Sequence, residues 1–114
     1  MEGLKPMVED FHKRIRWKDF RGAARHIVPE SREPFLRARA EQQDDRDLSI
    51  TDFEILEIAL APDGMRALVT TRLGWMRLPS PSEQTETISS EFVFRDGEWL
   101  LERMEGGPFA GELP

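Results

Sequence analysis

The chain predicts an α+β fold in which three N-terminal helices pack on a curved four-stranded antiparallel sheet. Two observations carry that prediction. Apolar residues recur at helical spacing as far as Ala40, and from Leu48 onward they alternate with a period of two. The alternating segments are separated by short turn signals, so successive strands pair as hairpins and the helices cover one face.

The first helix is expected over Pro6–Trp17. Pro6 suits a first helical turn, where its missing N–H costs little. Met7, Val8, Phe11 and Ile15 form an apolar stripe, with Glu9, Asp10, His12, Lys13, Arg14 and Arg16 mostly on the other face. Asp19 is placed to cap a shorter second helix, whose inner face is Phe20, Ala23, Ala24 and Ile27 and which Pro29 ends. Ser31 is read as the cap of a third helix, with Pro34 in its first turn and Phe35 and Leu36 packed inward. The run from Glu41 to Asp47 contains no apolar residue and reads as a helix end plus a loop.

The first strand starts at Leu48. Leu48 and Ile50, then Phe53 and Ile55, alternate; Leu56, Ile58 and Leu60 follow in the opposite phase, which predicts a β-bulge or a strand apolar on both faces. After the turn signal Pro62-Asp63-Gly64, a second strand places Met65, Ala67, Val69, Thr71, Leu73 and Trp75 on one face. Pro79 to Ser82 makes a loop. The third strand, Gln84 to Arg95, carries Glu86, Ile88, Ser90, Phe92 and Phe94 on one face. Arg95-Asp96-Gly97 turns the chain, because Asp tolerates and Gly favours positive φ. The fourth strand runs Gly97 to Met104. A single domain is expected over residues 1–114, with a regular core of about 6–104 and a mobile tail over 105–114.

Charge and composition bound the partners. The net charge is −6, unevenly spread: residues 1–46 hold 11 Lys/Arg against 9 Asp/Glu, a balance of +2, and residues 47–114 hold 5 against 13, a balance of −8. An acidic total argues against nucleic acid. There is no cysteine, so disulfides, thiol nucleophiles and zinc–thiolate sites are excluded. No apolar run approaches the ~18 residues of a membrane span. No signal-peptide core follows Met1, which fits a cytoplasmic protein or a periplasmic or envelope protein whose leader lies outside the chain.

Trp17-Lys18-Asp19-Phe20-Arg21-Gly22-Ala23-Ala24 and Phe94-Arg95-Asp96-Gly97-Glu98-Trp99 resemble the helix-one to helix-two junction and the last hairpin of the nuclear transport factor two-like superfamily, a cone-shaped, cystatin-like α+β fold. The resemblance covers about Met7 to Met104. It implies a pocket between the helices and the concave sheet face, and dimerisation through the sheet. It spans isomerases, dehydratases, cyclases and hydrolases as well as envelope lipoprotein domains and association modules, so the fold leaves function open. Steroid-isomerase-like members use an Asp base with a Tyr donor, and this chain has no Tyr.

Several residues carry candidate chemistry. His26 is a candidate general base. It lies seven positions from Asp19, about 10 Å of helical rise and too far for a direct bond along an axis. Asp52 and Glu54 share a strand face; inside a concave sheet they would raise one another's pKa, and turned outward by a bulge they would be solvated. Both histidines read more simply as surface residues among Lys and Arg, and neither has metal-site spacing. Trp17, Phe20, Trp75, Phe92 and Trp99 are candidates for a pocket or interface, against the simpler reading as core. The basic set from Lys13 to Arg25 reads as a solvated helix face, or as a surface for anionic lipid in a tethered domain.

The composite expectation is a non-catalytic binding or association domain, such as the soluble part of an envelope lipoprotein. It would take a small apolar ligand or a protein partner and dimerise through its sheet, without a metal or cofactor. The alternative is a small-molecule enzyme of the cyclase, dehydratase or isomerase type acting in the cone, with Asp52, Glu54 or His26 as base.

Overall fold

The computed structural model describes residues 3–110 and 112–113; Met1, Glu2, Gly111 and Pro114, parts of the expected lead-in and tail, lie outside them. The order is α1 (Leu4–Arg16), α2 (Phe20–Ala24), α3 (Pro29–Glu41), α4 (Asp44–Asp47), β1 (Leu48–Leu60), β2 (Arg66–Arg77), β3 (Gln84–Arg95) and β4 (Glu98–Glu105). The strands form one antiparallel sheet in the order β1-β2-β3-β4. The fold is α+β, as predicted, with four helices rather than three.

Helix α1 buries Leu4, Val8, Phe11, His12 and Ile15, a stripe at spacings of three and four. Its last turn is basic, which suits the helix dipole. Asp19 caps α2 by accepting the Gly22 N–H at 3.0 Å. Helix α3 corrects two expectations. Pro29 opens it at the first helical position rather than ending α2, and Pro34 lies inside it rather than in a first turn that starts after Ser31. A proline at a helix start forfeits no intrahelical bond.

Strand β1 slips register twice, between Ile50 and Asp52 and between Ile55 and Glu57. The second slip falls where the apolar phase changes. The first has a visible accommodation across the ladder: a Cβ on Gly74 would lie 2.7 Å from Thr51 Oγ1, so only glycine leaves the bulge its room. A third slip leaves Glu102 of β4 without a partner in β3. Bulges bend the strands that hold them. The β3–β4 turn takes Asp96 and Gly97 through positive φ, 49° and 84°.

The inner face of the sheet buries Ala67, Val69, Thr71 and Leu73 of β2 with Ile88, Ser90 and Phe92 of β3, against Phe11 and Ile15 of α1. The outer face carries exposed ion pairs, Arg66 with Glu91 and Glu102 and Arg72 with Glu54. Such pairs contribute about 0–1 kcal/mol each. The far edge of β4 is bridged at Leu101: the Leu101 N–H donates to the His26 carbonyl at 2.6 Å, and the Val28 N–H to the Leu101 carbonyl at 3.0 Å.

Within the polar run over 41–47, read as helix end plus loop, Asp44 is buried, and in the segment after β4, read as a mobile tail, Phe109 and Leu113 are buried. Asp44 and Arg39 are 0% and 3% exposed and pair at 3.0 Å. Arg77 reaches Asp44 from β2, and Glu112 reaches Arg39 from the tail. The Arg39 guanidinium carbon stands 5.0 Å from the Phe35 ring centroid and 4.3 Å from that of Phe109. Asp44→Ala strips Arg39 and Arg77 of a buried counter-charge and is expected to cost about 3–5 kcal/mol, read as a lower urea midpoint. Phe109→Ala is expected to cost about 3–5 kcal/mol in the same assay; a dispensable tail would give no shift.

Candidate functional site

Among the described residues, three surface clefts are lined by side chains other than the inner-face Phe11, Val69 and Phe92, which are fully buried. His12 of α1 stacks on Phe53 of β1 at 5.2 Å and meets Phe11 edge-on at 5.3 Å.

His12 overturns its reading as a surface residue. It is wholly buried, on the α1 stripe four residues after Val8. The Val8 carbonyl can only accept, so the 2.8 Å contact places the ring proton on Nδ1 and leaves Nε2 bare and without a hydrogen-bond partner. Burial lowers its pKa, and the bond to Val8 opposes this only in part.

His26 is half-buried at the end of α2. Its Nε2 donates to Asp10 Oδ2 at 2.7 Å; the carboxylate also accepts Arg14 Nε at 2.7 Å. The partner of His26 is therefore Asp10 on α1, not Asp19. Arg14 and then His26 hold the Asp10 carboxyl below the usual range. Arg14 Nη1 continues to Asp19 at 2.6 Å, so one arginine ties α1 to the cap of α2. His26 lines a cleft of about 250 Å³ with Met7, Phe94 and Trp99; the last two rings meet at 5.3 Å. With Nε2–H directed to Asp10, the Nδ1 lone pair is the acceptor available for base chemistry.

The other candidates disperse. Asp52 and Glu54 are exposed, because the bulge at Thr51 turns them off the inner face, and Glu54 pairs with Arg72. They do not line the interior. Phe92 is fully buried, and Trp75 lies in the core opposite Ile50 of β1. Trp17, 78% exposed, sits at the C-terminal cap of α1. Phe20 lines a cleft of about 550 Å³ with Lys18, Arg21, Leu36, Arg39 and Ala40, among others. A groove of about 360 Å³ at the free end of the β1–β2 hairpin is lined by Ala59, Leu60, Ala61, Ala67 and Leu68, with Arg66 and Glu91 beside them.

Among the described residues no group of three or more His, Asp or Glu could hold a metal ion, and no helix is long and apolar enough to cross a membrane. Sequence reasoning missed Asp10 and Arg14, although their i, i+4 spacing marks them as a helical ion pair.

No family profile matches the chain, and no curated protein matches it. Solved structures do. A SEC-C motif containing protein from Rhodopseudomonas palustris is similar at 19% identity and a TM-score of 0.69, over 89% of this chain and 76% of that one. The intermembrane space region of the chloroplast protein ARC6 is similar at 17% identity and a TM-score of 0.60, over 89% and 91%. A candidate SnoaL-like polyketide cyclase from Mesorhizobium loti is similar at 12% identity and a TM-score of 0.57, over 90% and 98%. At these identities the likeness concerns the fold.

The lowered pKa of His12 fixes a sign. The unfolded chain takes up the proton near the ordinary value of 6.5, and the folded chain resists it. Stability attributable to this group is therefore full above that value and declines as pH falls below it. His12→Phe is expected to flatten the melting temperature between neutrality and mild acid; an unchanged slope would show that the ring titrates freely in the fold.

Proposed function

We propose that this chain is a non-catalytic binding or association module of the nuclear transport factor two-like kind. The supporting observation is a contrast. The space between helices and sheet is occupied by Phe11, His12, Phe53 and Phe92, while Leu56, Leu60, Met65 and Leu68 stand 42–48% exposed along β1 and the start of β2. Leu60 lies on the face of Ala67 and Leu68 on the opposite face, so the exposed apolar side chains gather at one end of the β1–β2 hairpin rather than on one face, and fully burying side chains of this size stabilises by roughly 1.5–3 kcal/mol each.

The occupant is a second copy of the chain, meeting this one through the sheet. Strand β1 is an edge strand of 13 residues, and among the described residues no strand pairs with its outer side. The β4 edge is bridged at Leu101 by residues 26–28, whereas β1 is unpaired along its outer side among the described residues, so β1 is the edge more open to addition. A dimer of this kind is expected by light scattering at micromolar concentration, and Leu60→Glu with Leu68→Glu is expected to give a monomer that still unfolds cooperatively. A wild-type monomer under those conditions counts against dimerisation.

One observation favours a second reading, a small-molecule enzyme of the cyclase, dehydratase or isomerase type. Asp10 orients His26 at 2.7 Å beside the cleft of Phe94 and Trp99, as a base held by a carboxylate. On that reading, small carbonyl compounds shift the His26 ring and Trp99 indole resonances together, and Asp10→Asn weakens the effect. Compounds that leave both resonances in place would remove it.

A further inference from the structure

We infer that the cleft between the α1–α2 turn, α2 and α3 is a binding site for an amphiphilic monocarboxylate, an aliphatic or aromatic body bearing a single acid group. The site is separate from the association surface, and its volume of about 550 Å³ falls in the usual range of ~300–1,000 Å³ for small-molecule pockets.

The apolar side comes from Phe20, Leu36 and Ala40. Leu36, Arg39 and Ala40 follow at i, i+3 and i+4 on α3, so one helix face supplies them. The polar side comes from Lys18, Asp19, Arg21, Arg39 and Asp45. Their charges are not equally available. Asp19 already accepts Arg14 Nη1 at 2.6 Å and the Gly22 N–H at 3.0 Å, and these bonds, the backbone one first, hold its pKa low. Arg39 is balanced by Asp44 and Glu112. Lys18 gives its Nζ to the Asp45 carbonyl oxygen at 3.0 Å, a neutral acceptor, and makes no ion pair among the described residues; the nearby Asp47 is paired with Arg46. Arg21 has no ion pair among the described residues. Two available cations thus face one available acid, the exposed Asp45. That balance accepts one negative charge, whereas a polyanion would meet Asp45 and Asp19 at the same rim. In a chain of net charge −6 the cleft is a local exception.

The test is titration of the full chain with decanoate, below its micelle concentration, by calorimetry and amide NMR, with decanol as the uncharged control. Saturable binding is expected, with shifts centred on residues 18–21, 36–40 and 45. Arg21→Glu is expected to weaken it about tenfold, the scale of one charge-assisted contact. Ala40→Trp fills the cleft from an exposed helix position and is expected to abolish binding while leaving the circular dichroism unchanged. Absence of binding, equal affinity for decanol, shifts confined to the Leu60–Leu68 groove, or indifference to both substitutions would each overturn the assignment. Should one variant fail to fold, the decanoate–decanol ratio and the shift map of the unaltered chain still decide.

Discussion

The Arg39–Asp44 pair is the constraint around which one end of the molecule closes. Burial works against both charges: it lowers the Arg39 pKa to about 10 and raises that of Asp44. An isolated pair so deeply buried is a poor source of stability. Burial outweighs the neighbouring charges even here, yet further groups converge on the pair. Arg77 bonds the same carboxylate and reaches the Pro108 carbonyl at 3.1 Å, and Glu112 meets the guanidinium from the tail. The Phe35 and Phe109 rings offer their faces to the cation. Three stretches distant in sequence, α3 with α4, the end of β2 and the tail, are thereby required to meet at one place.

With that end closed and Phe11, His12 and Phe92 fully buried, the three clefts described lie at the periphery. The clefts lie at the ends of elements: one beside the β3–β4 turn, one at the α1–α2 turn and one at the open end of the β1–β2 hairpin. The helical half carries the available cations and the strand half most of the acid. The edges of the sheet divide in the same way, β4 bridged at Leu101 by the chain between α2 and α3 and β1 unpaired among the described residues.

Much of the fold is legible in local pattern. Strand order, hairpin positions, the Asp19 cap and the bulge after Ile55 follow from apolar phase and turn residues, which act over a few positions. What pattern does not reveal is tertiary pairing of polar groups. Asp44 sits in a run that any composition rule assigns to solvent, yet it is buried because Arg39 and Arg77 arrive from elsewhere. Asp10 and His26 are 16 positions apart and meet only because α2 folds back on α1. His12 is the instructive case. Its place four residues after Val8 puts it on the core stripe, although histidine as a residue type favours the surface. Phe109, a lone aromatic among glycine, proline and alanine, lacks any periodicity to mark it as core.

The Phe35–Phe109 contact also orders events in time. Each strand pairs with its neighbour in sequence, so the sheet can grow hairpin by hairpin as the chain is synthesised. Phe109 follows Phe35 by 74 positions, and their rings stand 5.4 Å apart. Until that segment leaves the ribosome, α3 has no cover for Phe35 and Arg39 keeps its hydration shell. Closure of the helical layer is then a late, long-loop event, and a nascent chain halted before residue 109 presents that surface to whatever chaperone is nearest.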